Sequence, residues 1–302
     1  MIKYFTMSAE NPIRDVYFAN PRVPRLDVEI IALETLFNRG LNHILQAPHR
    51  VYFYQIVICT QGVGTHLIDF VESAYDEETL LLVSKGQVHQ FQVNPANQGF
   101  LILFTSEFLY ENATEINLSH SLRVFEQALF SPAIRPLPDQ QQSLKTLCQM
   151  MYHEYHAPPD KLSTEVLRHL LRLILLQIER AQQINPSSQQ AAPYYQEFVA
   201  FRRLVERDLG RSRNVQYYAR QLAISAKKLN ELARQVVNKT AKNFIDEQVV
   251  LEAQRLLAQG DMPIKEIAYH LGFSEPTNLG KFFKKHTHMT PLAFRQQFHP
   301  SD

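Results

Sequence analysis

The sequence predicts an α+β chain of two domains: an amino-terminal β-barrel with flanking helices, then an all-helical carboxy-terminal domain. Three observations carry this prediction. Between Tyr52 and Phe104, short β-branched and aromatic runs alternate with Gly, Asp, Asn and Pro turn signals. From Gln140 onward the apolar residues recur at helical spacing. Near the end, one short pattern is written twice, as Ala219-Arg-Gln-Leu-Ala-Ile-Ser225 and as Ala268-Tyr-His-Leu-Gly-Phe-Ser274.

The β region divides into Tyr52 to Cys59, Thr65 to Phe70, Thr79 to Val83, Val88 to Val93 and Phe100 to Phe104. Five such runs close most simply into a small barrel. Ser106 to Glu115 is an acidic surface helix, and Gln140 to Tyr155 and Lys161 to Gln182 are longer ones. The last carries Leu162, Val166, Leu167, Leu170, Leu171, Ile174 and Ile178 in one stripe, which Leu173, Leu175 and Leu176 widen. That surplus predicts a second partner, and a homodimer seam is the expectation. Ile184 to Pro193 is polar and Pro-bounded, a linker. The expected organisation is residues 1–183, linker 184–193 and residues 194–302.

Each copy of the repeated pattern predicts a short helix, a tight turn and a Ser that caps a second helix. This is a helix-turn-helix, twice over. In the second helix of the first copy, Leu229, Leu232, Ala233 and Val236 turn inward and leave Lys227, Asn230, Glu231 and Arg234 outside, with Lys228 beside them. In the other copy, Leu279, Phe282 and Phe283 turn inward and leave Thr277, Gly280, Lys281 and Lys284 outside, flanked by Asn278 and Lys285. Asn238 and His288 suit left-handed helix ends. Ala241 to Gln259, stopped by Gly260, joins the copies at a fixed separation.

The formal net charge of +1 hides an asymmetry. Residues 194–302 hold 17 Lys and Arg against 11 Asp and Glu, whereas residues 1–193 hold 14 against 19. The cationic excess therefore sits with the repeated helices, where a phosphate backbone would need it. Met1 to Met7 lacks the apolar core of a secretory signal, and the apolar run near Leu170 to Ile178 is too short to cross a membrane. Cys59 and Cys148 have no metal-ligand spacing and read as reduced cytosolic cysteines.

Ile264-Lys-Glu-Ile-Ala268, Leu271-Gly-Phe273, Phe282-Phe-Lys-Lys285 and Thr290-Pro-Leu-Ala-Phe-Arg295 resemble the signature of the AraC/XylS family of transcription regulators. The chain departs from that signature at Asn238 and His288, where Gly is usual, at Glu231, and at Asn278-Leu279. Phe53-Tyr-Gln-Ile-Val57 and Ser84-Lys-Gly-Gln-Val-His89 resemble the cupin sensor domain of the PobR-like, aromatic-acid-responsive group of that family. The resemblance implies a cupin-like barrel that binds an effector and dimerises, and a DNA-binding domain whose two second helices enter successive major grooves. Regulation by activation, with RNA polymerase as a further partner, is implied by the resemblance alone.

Lys227, Lys228, Asn230, Glu231, Arg234, Thr277, Asn278, Lys281, Lys284 and Lys285 are the expected contacts to double-stranded DNA. Arg234 is the candidate for guanine, and the lysines divide between bases and phosphates. His49, Arg50, Tyr52, Tyr54, His66 and His89 are the candidates for holding a small organic effector. An aromatic or other carboxylate would pair with Arg50. Taken singly, each of the six reads first as an ordinary core or surface residue. Metal-dependent cupins need a His-x-His pair, and here Val51 stands in place of the second His. No metal, cofactor or enzymatic activity is expected. Two alternatives remain open: a cupin-type metal-dependent enzyme and a ligand-independent DNA-binding protein.

Overall fold

The computed structural model describes residues 13–23, 26–38, 45–92, 94–110, 122–129, 131–184, 194–260 and 262–298. The chain splits into two compact units, the division falling after residue 185. Of the expected linker, residues 185–193 lie outside the described residues.

In the first unit, two sheets of five strands form. One runs in the order β1 (Arg14–Val16), β3 (His49–Val51), β8 (Val88–Phe91), β5 (Val63–Ile68), β6 (Val71–Asp76). The other runs β10 (Ala133–Ile134), β7 (Leu80–Val83), β4 (Tyr54–Gln61), β9 (Gln98–Phe104), β2 (Val28–Ala32). Among the described residues only β1 and β3 pair in parallel; the other pairs are antiparallel. The expected closed barrel is thus two separate ladders, and side chains rather than a continuous hydrogen-bonded wall join them. Of the unanticipated strands, β1, β3 and β10 are short and β6 is polar at the edge, with Val71-Glu-Ser-Ala-Tyr-Asp76, whereas β2 is a buried five-residue run, Val28-Glu-Ile-Ile-Ala32, that lies outside the region of alternating runs and turn signals.

The second sheet is buried on both faces, which explains its near-continuous apolar runs. Along β4, β7 and β9, Val57, Cys59, Leu81, Val83, Leu101 and Leu103 turn toward the first sheet and meet Val51, Phe53, Ile68 and Phe91. Their neighbours Ile56, Ile58, Leu80, Leu82, Ile102 and Phe104 turn the other way. There they pack against α4 (Pro138–His156) and α5 (Ser163–Ile184), with the short helices α2 (Ser106–Tyr110) and α3 (Arg123–Ala128) beside them. A period of two thus fills two separate cores. A further short helix, α1 (Leu33–Asn38), adds Leu33, Leu36 and Phe37 to the core between the sheets.

On α5 the stripe divides differently from the expectation. Leu167, Leu170, Leu171, Ile174, Leu175 and Ile178 are buried. Leu162, Val166, Leu173 and Leu176 stay exposed, at 64%, 40%, 47% and 59%. Leu175 therefore belongs to the core, whereas Leu162 and Val166 join the outer row.

The second unit is all helix: α6 (Tyr194–Asp208), α7 (Val215–Gln221), α8 (Ala226–Val237), α9 (Ala241–Gln259), α10 (Ile264–His270), α11 (Pro276–Thr287) and α12 (Pro291–Phe298). Phe198, Phe201, Tyr218 and Phe244 form an edge-to-face aromatic core with ring centroids 5.0–5.8 Å apart. Leu256 and Leu257 bury the far end of α9, and Gly260 ends it in the left-handed conformation. Asp208 at the end of α6 accepts from the Arg207 guanidinium and from the Tyr217 hydroxyl, which anchors the following loop.

Candidate functional site

In the first unit, a cavity of about 80 Å³ opens between the sheets. Val16, Ile31, Phe53, Phe91, Leu101 and Leu103 supply apolar walls, and His49, Gln55 and His89 supply polar groups. Strand alternation determines which candidates reach it. His49 and His89 point inward from paired positions on β3 and β8, with rings 4.1 Å apart. His66 sits behind His89, its Nε2 2.9 Å from His89 Nδ1. Gln55, absent from the sequence-level candidates, lies 2.9 Å from the other face of His89, amide Nε2 to ring Nε2.

The other three candidates are corrected. Arg50 follows His49 on β3 and so points to the opposite face of the sheet, beside Tyr52. Tyr52 stacks on Tyr17 at 4.6 Å, away from the cavity. Tyr54 faces the helices, packed on Phe104 and Phe125. The single-residue alternation that brings Gln55 into the cavity turns Tyr54 out of it.

Burial holds the His66 imidazole neutral down to about pH 3, with repulsion from His49 a smaller cause, and pushes His89 well below the ordinary range for the same reasons. The native unit therefore refuses protons that the unfolded chain takes up below about pH 6.5. Stability is full above that pH and falls as the pH drops, by about 1.4 kcal/mol per pH unit for each such histidine. Urea unfolding of the first unit should show this slope between about pH 6.5 and 5; a pH-independent midpoint would contradict it. Among the described residues, no group of three His, Cys, Asp or Glu side chains is arranged to hold a metal ion. His66 and His89 hydrogen-bond each other.

In the second unit both repeated patterns fold as expected helix-turn-helices. The Ile224 N–H donates to the Ala219 carbonyl at 3.0 Å, and the Phe273 N–H donates to that of Ala268 at 2.9 Å. Between them Ala223 and Gly272 adopt positive φ, +54° and +73°. Asn238 and His288 end α8 and α11 at φ +53° and +61°, the left-handed caps their residue types allow.

The caps at the start of the reading helices differ. Ser225 accepts from the Lys228 N–H at 3.1 Å, as expected. Ser274 does not cap; Glu275 is the N-cap residue of α11. Pro276 causes this, because it fixes the first helical position and forces the residue before it to be extended. Ser274 is left outside the helix, where its hydroxyl accepts from the Asn278 amide at 3.3 Å.

Lys227, Glu231 and Arg234 lie exposed along α8, and Thr277, Asn278, Lys281, Lys284 and Lys285 along α11. Lys228 is half-buried. Asn230 is corrected. Its amide donates to the Ala226 carbonyl and its Oδ1 accepts from the Ala241 N–H, both at 3.0 Å. It thereby satisfies the open start of α9 and is half-buried, with its amide engaged by the backbone.

The two helix-turn-helices are also tied by Arg213 and Gly210, which lie in the loop before the first of them and carried no expectation from the sequence. The Arg213 guanidinium lies 3.7 Å from the centre of the Phe273 ring and 5.7 Å from that of Phe282. Gly210 and Gly272 allow backbones to touch: a Cβ on Gly272 would sit 2.5 Å from the Gly210 carbonyl oxygen. The loop before the first helix-turn-helix is thus seated on the turn of the second.

No helix among the described residues is long and apolar enough to cross a membrane. A family model described as the AraC-like ligand binding domain matches residues 31–195, and a helix-turn-helix domain model matches residues 218–297. The chain is 22% identical over 250 residues to the transcriptional activator RhaS of Escherichia coli O157:H7, covering 76% of this chain and 88% of RhaS. It is 21% identical over 239 residues to the uncharacterised regulator YfiF of Bacillus subtilis, covering 77% and 74%. Fatty-acid-bound ToxT of Vibrio cholerae is similar at 14% identity and a TM-score of 0.42, covering 89% and 94%, a likeness too slight to carry any inference. With one family model spanning more than half of its length and the other spanning both helix-turn-helices, the chain belongs to the AraC family of DNA-binding transcription regulators.

Proposed function

We propose that this regulator is a cytoplasmic homodimer, not an enzyme, in which residues 1–183 sense and pair, 184–193 link, and 194–302 bind DNA. The observation that carries the reading is the pair of exposed polar faces on α8 and α11, repeated in one rigidly packed unit. Lys227, Glu231 and Arg234 enter one major groove, and Thr277, Asn278, Lys281, Lys284 and Lys285 meet the next. Arg234 contacts guanine, Glu231 accepts from a cytosine amino group, and the lysines serve mainly phosphates.

An effector between the sheets biases the arrangement of domains or subunits, which requires that it bind one arrangement better than the other. Its anchor is not Arg50, which faces away from the cavity. Dimerisation uses Leu162, Val166, Leu173 and Leu176, an exposed apolar row whose spacing suits a helix pair. Activation follows the sign in the RhaS name, and RNA polymerase is the further partner that activation would call for.

The test is binding to duplexes selected from a random pool, followed across a salt series. Arg234→Ala should cost about 1–3 kcal/mol and relax the preference at one position. Replacing Lys281, Lys284 and Lys285 together by Ala should weaken all sequences alike and lower the salt slope by about 2–3. Salt slopes unchanged by the triple replacement would refute the phosphate assignment.

A further inference from the structure

The loop before the first helix-turn-helix places a cation where the two copies meet. Arg213 stands one residue before Asn214, the N-cap residue of α7. Its guanidinium covers Phe273, in the second turn, at 3.7 Å from the ring centre, and lies 5.7 Å from that of Phe282, on the reading helix α11. The two rings are 5.3 Å apart and form one aromatic seat. Arg213 is half-buried there, and a partly desolvated cation is attracted to a ring face more strongly than an exposed one.

The linking helix α9 closes the remaining side. Burial lowers the Arg213 guanidinium from its ordinary range, and the Asp246 carboxylate opposes that shift. Asp246 is buried on α9, where it also accepts from the Lys242 ammonium. Arg213 thus joins the start of the first helix-turn-helix, the linking helix and the reading helix of the second copy. The backbone adds a stop, because a Cβ on Gly210 would sit 2.3 Å from the His270 carbonyl oxygen.

The repeat shows that a helix-turn-helix does not itself require this seat. Where the second copy has Phe273 and Phe282, the first has Ile224 and Leu232, and its turn closes with the same backbone bond. The rings stand in the copy on which the guanidinium rests. A joint at this place governs how DNA is read: one base pair added between two sites moves the second by about 3.4 Å along the duplex and about 35° around it. A second copy free to turn about the end of α9 would follow that change, and a clamped one would not.

We propose that Arg213 is a positioning residue for DNA recognition: seated on Phe273 and Phe282 and facing Asp246, it sets the spacing between the two base elements that the protein accepts. This rests on the reading that α8 and α11 engage one duplex together.

The test is the affinity of the full chain for four kinds of duplex. One is selected by the wild type; the others have one base pair added between the elements, one removed, or the α11 element scrambled. The wild type should lose about 100-fold on the scrambled duplex and about tenfold on either respacing. In Arg213→Met the respacing penalty should fall to about threefold or less, with affinity for the scrambled duplex unchanged. Asp246→Asn keeps the shape of its side chain and should reduce the penalty in the same direction, so it carries the test if Arg213→Met does not fold. A residue that only stabilised the unit would lower binding to every duplex by one factor and leave the penalty at tenfold; that result in the variants that fold would overturn the proposal. A wild type that needs both elements but tolerates either respacing would overturn it too and leave joint reading intact. Equal binding of the scrambled and selected duplexes by the wild type would refute joint reading, and the proposal with it.

Discussion

The two helix-turn-helices share one backbone plan but satisfy it with different residues. Up to the turn, Ala219, Leu222 and Ser225 correspond to Ala268, Leu271 and Ser274; beyond it, Leu229, Asn238 and Thr240 correspond to Leu279, His288 and Thr290. The second copy therefore holds one extra residue, Glu275, which accounts for the displaced Ser274. Asn230 corresponds to Gly280 and Ala241 to Pro291. In the first copy the Ala241 N–H needs an acceptor and Asn230 supplies it. In the second, Pro291 has no N–H to satisfy, so position 280 is released to be Gly. Residues that look unrelated across the repeat are matched in pairs by the backbone groups they serve.

The sharpest way to break this comparison is at the turn. Gly272→Ala combines a positive φ with a Cβ 2.5 Å from the Gly210 oxygen, and should cost about 2–4 kcal/mol in denaturant unfolding. Asn230→Ala should cost about 1–2 kcal/mol by opening the start of α9, with no change in base preference. An altered base preference in that variant would restore Asn230 to the reading face. Ala223→Gly should gain about 1 kcal/mol, because Ala occupies the left-handed position that Gly fills in the other copy.

The smallest effect lies at Gly280, where an added Cβ would meet nothing within 4 Å. Gly280→Ala should stabilise the helix by up to about 1 kcal/mol. If the backbone of α11 lies close to DNA, the same variant should bind duplex less tightly although it is more stable. Unchanged affinity would mean that α11 stands off the groove at this point.

The helical unit was the more legible because its signals are local. Ser225, Asn238, Gly260 and His288 act within one turn of their own position, so a cap can be assigned from residue type. Even there, Pro276 displaced Ser274, and the bond from Asn230 to Ala241 crosses eleven positions. In the sensor unit the strands between Tyr54 and Phe104 were largely visible from their apolar runs. Which side chains enter the cavity was not, because that depends on a strand register in which one step exchanges Tyr54 for Gln55 and Arg50 for His49. The sheet pairing was equally hidden, since β1 and β3 are three residues long and join strands distant in sequence.

The central claim is that two reading helices, held at fixed separation, engage one face of a duplex together. Hydroxyl-radical footprinting of the full chain on a duplex selected by the protein tests it most directly. Two protected patches about 10 base pairs apart on one face are predicted, the one facing α8 losing its base preference in Arg234→Ala. A single patch, unaffected by loss of Lys281, Lys284 and Lys285, would contradict the account by showing that the second helix-turn-helix does not touch DNA.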